Sequence, residues 1–439
     1  MYRRFVVILL IAFLSCEKQD LPIENSISTE VISTFGGARN DNAQAVVSTS
    51  DGGFAVLGFT QSNDGDISDK QNESYDFWLL KFNSNAELQW SKTYGGSDDD
   101  RGYSLLQTSD GGFAMLGYTA SSDGDVSLNN GGRDFWLVKT DSQGTLLWEK
   151  TYGFSGLDQG THILETTDNH FIISGVLDVT ASGGDGIFGR QSSRHAGGDY
   201  WVLKVTQTGE LVWSRYFGGS FTDTAYEVVQ TPSGEFIIAG SSDSNDIDVT
   251  NNKGSYDFWT VKSDANGDMV WQNSYGGAEI DEGRGISQSL DGNYVLVGDT
   301  RSSDQDVSEN NGAADLWMVK ISETGSLLWN RSIGGTNFDV PRSITITLDG
   351  GFLIAGSSRS SDGQVQGNQG QNDAWVVRTD SEGRLINERT FGGTDIDFAY
   401  DAVQLNNGSY IMVGESSSND GNIQENKGFT DLLIIKTDL

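Results

Sequence analysis

An aromatic or aliphatic residue followed by a glycine doublet recurs along this chain: Phe35-Gly36-Gly37, Tyr94-Gly95-Gly96, Phe217-Gly218-Gly219, Tyr275-Gly276-Gly277, Ile333-Gly334-Gly335 and Phe391-Gly392-Gly393, with Tyr152-Gly153-Phe154 as a variant third copy. The first glycines stand at 36, 95, 153, 218, 276, 334 and 392, so every step is 58 or 59 residues except one of 65. A fixed period of this length marks a repeat architecture in which each unit buries its apolar faces against its neighbours. Within the second copy, GYSLLQT, GFAMLGYT, DFWLVKT and TLLWEKTYGG are four short runs of β-formers separated by turn residues. Four strands per repeat is a propeller blade, and seven copies predict an all-β, seven-bladed β-propeller. The last copy ends after its third strand, FTDLLIIKTDL, and residues 27–35 (ISTEVISTF) supply the missing fourth. Pairing that N-terminal strand into the last blade closes the ring and removes exposed sheet edges.

Connections follow from the strand order. Asp110-Gly111 predicts a tight type I′ hairpin between strands one and two, and Ser142-Gln143-Gly144 a slightly longer one between strands three and four. The two longer connections then share the opposite face. All eleven Trp fall at two repeat positions, Trp78, Trp136, Trp201, Trp259, Trp317 and Trp375 in strand three and Trp90, Trp148, Trp213, Trp271 and Trp329 in strand four. Large rings once per blade inside strands read as packing between blades.

Residues 1–16 combine Arg3 and Arg4 with an apolar run from Phe5 to Leu14 and end in Ser15-Cys16. This reads as a secretory signal, too short to span a membrane. Residues 17–27 are polar and aperiodic, a tether, and 28–439 form one propeller domain. The single cysteine excludes an internal disulfide and a multi-cysteine metal site. A net charge of −34 argues against a DNA or RNA partner. Neither GxSxG, HExxH nor a phosphate loop occurs, and three histidines serve nucleophilic or zinc chemistry poorly. Among 62 acidic residues some pair always stands at a separation suited to glycoside hydrolysis, so counting does not exclude it.

The segment around Cys16 resembles a bacterial lipoprotein signal, in which that cysteine becomes the lipid-bearing first residue. Asp141-Ser142-Gln143-Gly144-Thr145-Leu146-Leu147-Trp148, repeated as Asp264 to Trp271, resembles the Asp/Gly/Trp signature of quinoprotein-type propeller repeats. The whole unit, from TSDGGFAMLGYT through DFWLVKTDSQGTLLWEKTYGG, is still more similar to the β-propeller repeats of secreted bacterial lipoproteins, a largely uncharacterised family. That resemblance spans about residues 30 to 439 and implies a propeller held at the cell envelope, at the outer membrane or cell surface. A quinone enzyme needs metal-binding and cofactor-stacking residues outside the repeat consensus, and the sequence offers no such set.

Four polar groups are candidate sites. An aspartate lies four residues past each doublet: Asp41, Asp100, Asp158, Asp223, Asp281, Asp339 and Asp397. This ring is expected near the mouth of the central channel, as a cap on loop N–H groups or as an acidic mouth for cations. A second ring, Asp76, Asp134, Asp199, Asp257, Asp315, Asp373 and Asp431, opens strand three, and a basic residue follows each by five positions. Those cations are expected to meet the hairpin aspartates Asp51, Asp110, Asp168, Asp291 and Asp349. In copy two, Asp123, Asp125, Asn129 and Asp134 occupy positions 1, 3, 7 and 12 of a twelve-residue span, an oxygen spacing compatible with Ca2+, although turn chemistry alone accounts for the same residues. The longer third copy adds Arg190, Arg194 and His195 to an acidic face, a candidate ligand contact or simply a tolerated insertion. His162 and His170 read as structural. The expectation is a monomeric, non-enzymatic binding or scaffolding module for a glycan or an envelope protein, touching the membrane through its lipid alone. The alternatives are a polysaccharide hydrolase or lyase and a structural component of an envelope complex.

Overall fold

In the computed structural model the described residues are 30–179 and 195–439, and they form seven four-stranded antiparallel sheets. The closing strand β1 is Val31–Phe35. Blade one holds β2 (Asp41–Ser48), β3 (Phe54–Thr60), β4 (Asp76–Phe82) and β5 (Leu88–Tyr94), and the order repeats through the ring. The seventh blade holds β26 (Asp397–Gln404), β27 (Tyr410–Ser416) and β28 (Asp431–Thr437), with β1 paired to β28 from Val31 opposite Lys436 to Phe35 opposite Leu432. The protein is a seven-bladed β-propeller, and its ring closes as the repeat count requires.

Burial explains the strand patterns. The second and third strands of blade one are buried at every residue, because blades cover both faces. The fourth strand, at the perimeter, is half exposed. The first strands of neighbouring blades touch around the axis, β2 against both β26 and β6 (Asp100–Gln107). There is no single core. Seven apolar clusters each bridge two adjacent blades; in one, Leu57 and Leu79 of blade one meet Phe113 and Trp136 of blade two. The strand-three tryptophans are the keystones: Phe77 meets Trp136 with ring centroids 4.6 Å apart, Phe135 meets Trp201 at 4.7 Å, and Phe258 meets Trp317 at 4.8 Å.

The strand one-to-two hairpin differs from the expected type I′ turn. The Gly111 amide donates to the Thr108 carbonyl, and of the loop residues only Gly111 takes a positive φ, 85°. That is the three-residue loop, a turn followed by one left-handed residue. Asp110 therefore needs no left-handed backbone, and its carboxylate instead accepts from the Thr108 hydroxyl and the Gly112 amide.

Candidate functional site in the central channel

Each first strand carries one extra residue. The pairing of strand one with strand two slips between Ala43 and Ala45, Gly102 and Ser104, Gly160 and His162, Ala225 and Glu227, Gly283 and Gly285, Pro341 and Ser343, and Ala399 and Asp401. The opposing residue on strand two is a glycine; a Cβ on Gly58 would stand 1.8 Å from the Asn42 carbonyl oxygen. A β-bulge of this kind re-aims a side chain. Here it places Gln44, Tyr103, Thr161, Tyr226, Arg284, Arg342 and Tyr400 around one central cavity of about 230 Å3. The bulge recurs in every blade, but the residue it presents does not.

Beside three of the bulges the next side chain ties neighbouring blades together at the axis. Asp401 accepts from the Val46 amide, Ser104 from the Ile163 amide and Glu227 from the Ile286 amide, at 2.8 to 3.1 Å. Burial pushes the Glu227 carboxyl up to about 8 and the Asp401 carboxyl up to about 6. Burial also draws His162 down to about 4, so that it is neutral near pH 7, with Nε2 3.7 Å from Glu227.

The two arginines are unequal. Arg284 donates to the Tyr226 hydroxyl and, at 2.6 Å, to Glu282, while its Nε is enclosed without an acceptor. Arg342 makes no hydrogen bond or ion pair with any described residue, and its Nε is enclosed as well. Burial, reinforced by the neighbouring Arg284 charge, lowers the Arg342 pKa. Around the rim, Leu157, Phe338 and Ile396, each immediately before a first-strand position, expose apolar surface on the long-loop face.

The aspartate ring 41, 100, 158, 223, 281, 339 and 397 is wholly buried. Each carboxylate accepts from the backbone amide four residues earlier, at 2.6 to 2.8 Å, and so clamps the doublet loop. Across the first doublet glycine stands the second ring. A Cβ on Gly276 would lie 2.2 Å from Asp257 Oδ1 and 2.8 Å from Asp281 Oδ2, which is why that position is glycine. Burial, with the facing Asp281 charge adding to it, pushes Asp257 up to about 7.

The basic residues of strand three meet the hairpin aspartates. Lys81 pairs with Asp51 at 2.9 Å, Lys139 with Asp110 at 3.0 Å, Lys204 with Asp168 at 2.6 Å and Lys320 with Asp291 at 2.7 Å, and Arg378 pairs with Asp349.

The four oxygens spaced for Ca2+ are not brought together. Asp123 accepts from the Ser97 amide, Asp125 from Gly95, Asn129 from Gly131 and Asp134 from Asn130, each turned to a different backbone group. Asp123 and Asp125 line an open cleft of about 390 Å3 with Lys70, whose ammonium lies 3.5 Å from Asp76. Among the described residues, no three His, Cys, Asp or Glu side chains converge as a metal site. Of the third-copy group, His195 is buried with Nδ1 2.7 Å from Asp199, while Arg190 and Arg194 lie outside the described residues, as does Cys16.

The channel residues escaped the sequence reading because it weighed what recurs. Their signal was present as the third residue after each ring aspartate, which reads Gln, Tyr, Thr, Tyr, Arg, Arg, Tyr inside an otherwise regular repeat.

No family model matches the sequence, and no curated protein matches it. Among solved structures it is similar to the Pan2 WD40 domain of Neurospora crassa, at 11% identity over 93% of this chain and 96% of that one, with a TM-score of 0.48. It is similar also to a protein of unknown function from Bacteroides caccae, at 11% identity, 76% and 93% coverage and a TM-score of 0.40. A third is the PQQ-bound aldose sugar dehydrogenase of Streptomyces coelicolor, at 10% identity, 94% and 99% coverage and a TM-score of 0.38. The fold assignment rests on the blades themselves and takes nothing from these likenesses.

Proposed function

We propose that this chain is a non-enzymatic binding module, tethered to the bacterial envelope through Cys16 and monomeric, which grips a glycan at the mouth of its central channel. One observation carries the reading. Seven equivalent bulges aim seven side chains at one cavity, and those side chains break the sevenfold pattern that the packing residues keep. Packing accounts for what repeats; a ligand accounts for a polar set that does not. Three tyrosines, two arginines, a glutamine and a threonine supply the ring faces and hydrogen-bonding groups that orient a polar ligand in a small cavity. The exposed apolar rim widens the contact beyond that cavity.

A glycan-binding screen on the full chain in detergent, with the Gln44→Trp variant beside it, tests the proposal. Among the described residues the Gln44 side chain bonds only Asn42, two residues earlier in the same strand, so a Trp there fills the channel without removing a tie between blades. Binding by the parent chain and its loss in the variant is the expected result, unchanged by a calcium chelator. Binding lost to chelator instead moves the site to the aspartate-rich loops, and binding of envelope proteins alone moves the reading to a scaffold. A hydrolytic reading draws on Glu227 and Asp401, two half-buried carboxyls beside the same cavity. Both are engaged by backbone amides as blade ties, which favours binding; release of new reducing ends would favour hydrolysis.

A further inference from the structure

We propose that the channel seats a carboxylate, carried by an acidic sugar residue of the glycan, on Arg342; this rests on the binding reading above and names the chemistry of its ligand. Two arginines at the axis hold donors that have no acceptor. A guanidinium offers five N–H groups, and enclosed polar groups are nearly always hydrogen-bonded. Arg342 gives none of its hydrogens to a described residue, and its Nε is shut off from solvent. One bulge away, Arg284 uses two nitrogens on Tyr226 and Glu282 and leaves its enclosed Nε without a partner. The Tyr226 hydroxyl accepts from Arg284, so its own proton is available. Arg342, Arg284 and Tyr226 line the same cavity, and with both Nε atoms enclosed it is the unpartnered Nη end of Arg342 that a ligand there meets.

The acids nearby do not close the gap. Glu282 is taken by Arg284, Asp401 and Glu227 are held by amides of the next blade, and Asp299 makes no ion pair with Arg342. A planar fork of N–H donors matches a carboxylate in two-point geometry. The cavity of about 230 Å3 is smaller than the range usual for whole drug-sized ligands, so it admits one residue of a chain. Tyr103 and Tyr400 line the same space and add aromatic surface to it.

Calorimetric titration of the full chain in detergent decides the matter, with digalacturonate, its methyl ester, a neutral disaccharide and free galacturonate as probes. Digalacturonate is expected to bind, and its methyl ester more weakly by roughly tenfold to a hundredfold, the worth of a charge-assisted hydrogen bond. Arg342→Met should remove that difference while leaving the melting temperature unchanged or higher, because the arginine ties down no other group. A melting temperature lowered in Arg342→Met, with acid and ester still discriminated, assigns Arg342 a structural role and overturns the proposal. Equal binding of acid, ester and neutral sugar also overturns it, yet leaves the glycan reading standing. Binding of free galacturonate but not of the disaccharide keeps the carboxylate on Arg342 and overturns the acidic chain as its source. No binding by any probe, together with an empty glycan screen, removes the glycan reading and this inference with it.

Discussion

Ala86 and Gly144 hold the same turn position in blades one and two, both with positive φ, 63° and 77°. A Cβ on Gly144 would stand 2.8 Å from the Trp90 ring of the preceding blade. Ala86 has no such ring before it, because β1 ends the preceding blade without a tryptophan, and its methyl packs against the apolar cluster shared by blades one and seven. The pair should therefore respond with opposite signs. Gly144→Ala should cost on the order of 2 kcal/mol from left-handed strain and the clash, whereas Ala86→Gly should range from neutral to about 1 kcal/mol stabilising. Chemical denaturation measures both, and a loss at Ala86→Gly as large as at Gly144→Ala contradicts the account. The aspartates make a second prediction. Burial pushes Asp223 and Asp257 up to about 7 and Asp158, Asp315, Asp373 and Asp431 up to about 6. Their native forms keep protons that the unfolded chain releases near pH 4, so this stability is complete below about pH 4 and is lost as pH rises through 6 to 7. Against burial, hydrogen bonds from Thr49, Thr108 and Lys204, among others, hold Asp51, Asp110 and Asp168 down to about 2, and that contribution is lost as pH falls through 2. Melting temperature should peak near pH 4 and decline toward pH 8; a peak at or above pH 7 speaks against the buried pairs.

At the scale of the strand, the bulge and the hairpin are the two devices that matter. Lys139 is 3% exposed and Asp110 60%, so their pair stands half in water. A double-mutant cycle on the two should give a coupling of about 1 kcal/mol, the upper part of the range for exposed pairs. No coupling would mean that the Thr140 carbonyl, which also accepts from Lys139, holds the ammonium alone. The Lys139 to Asp110 contact was legible in the sequence, because a lysine five residues along strand three must reach the hairpin end of its blade. The turn type was not: Asp-Gly is common to two hairpin geometries, and only the Gly111 backbone separates them. The bulge was not legible either, since one extra residue in strand one leaves no mark until the facing glycine is seen against it. Recurrence therefore led to the aspartates that clamp loops and passed over the residues at the axis. What recurs in a propeller is what packs, and this site is made of what does not.

For the molecule as a whole, stability is distributed over seven junctions and completed by one pairing between the ends of the chain. Removing residues 432–439 deletes the partner of β1 and opens the ring, exposing two sheet edges and the apolar cluster that holds Leu432 and Ile434. The truncated chain should lose its cooperative melting transition or fall far in melting temperature. An unchanged transition after the C-terminal cut would refute closure. The closing strand also fixes an orientation. β1 takes the fourth position of its blade, so it runs from the hairpin side, where Glu30 bonds Arg389 and Thr437, up to the doublet loop at Gly36. The chain thus joins the propeller on the side opposite the long loops. Were Cys16 to carry a lipid, the hairpin face would be the one the chain enters from, and the long loops would lie at the far end of every blade.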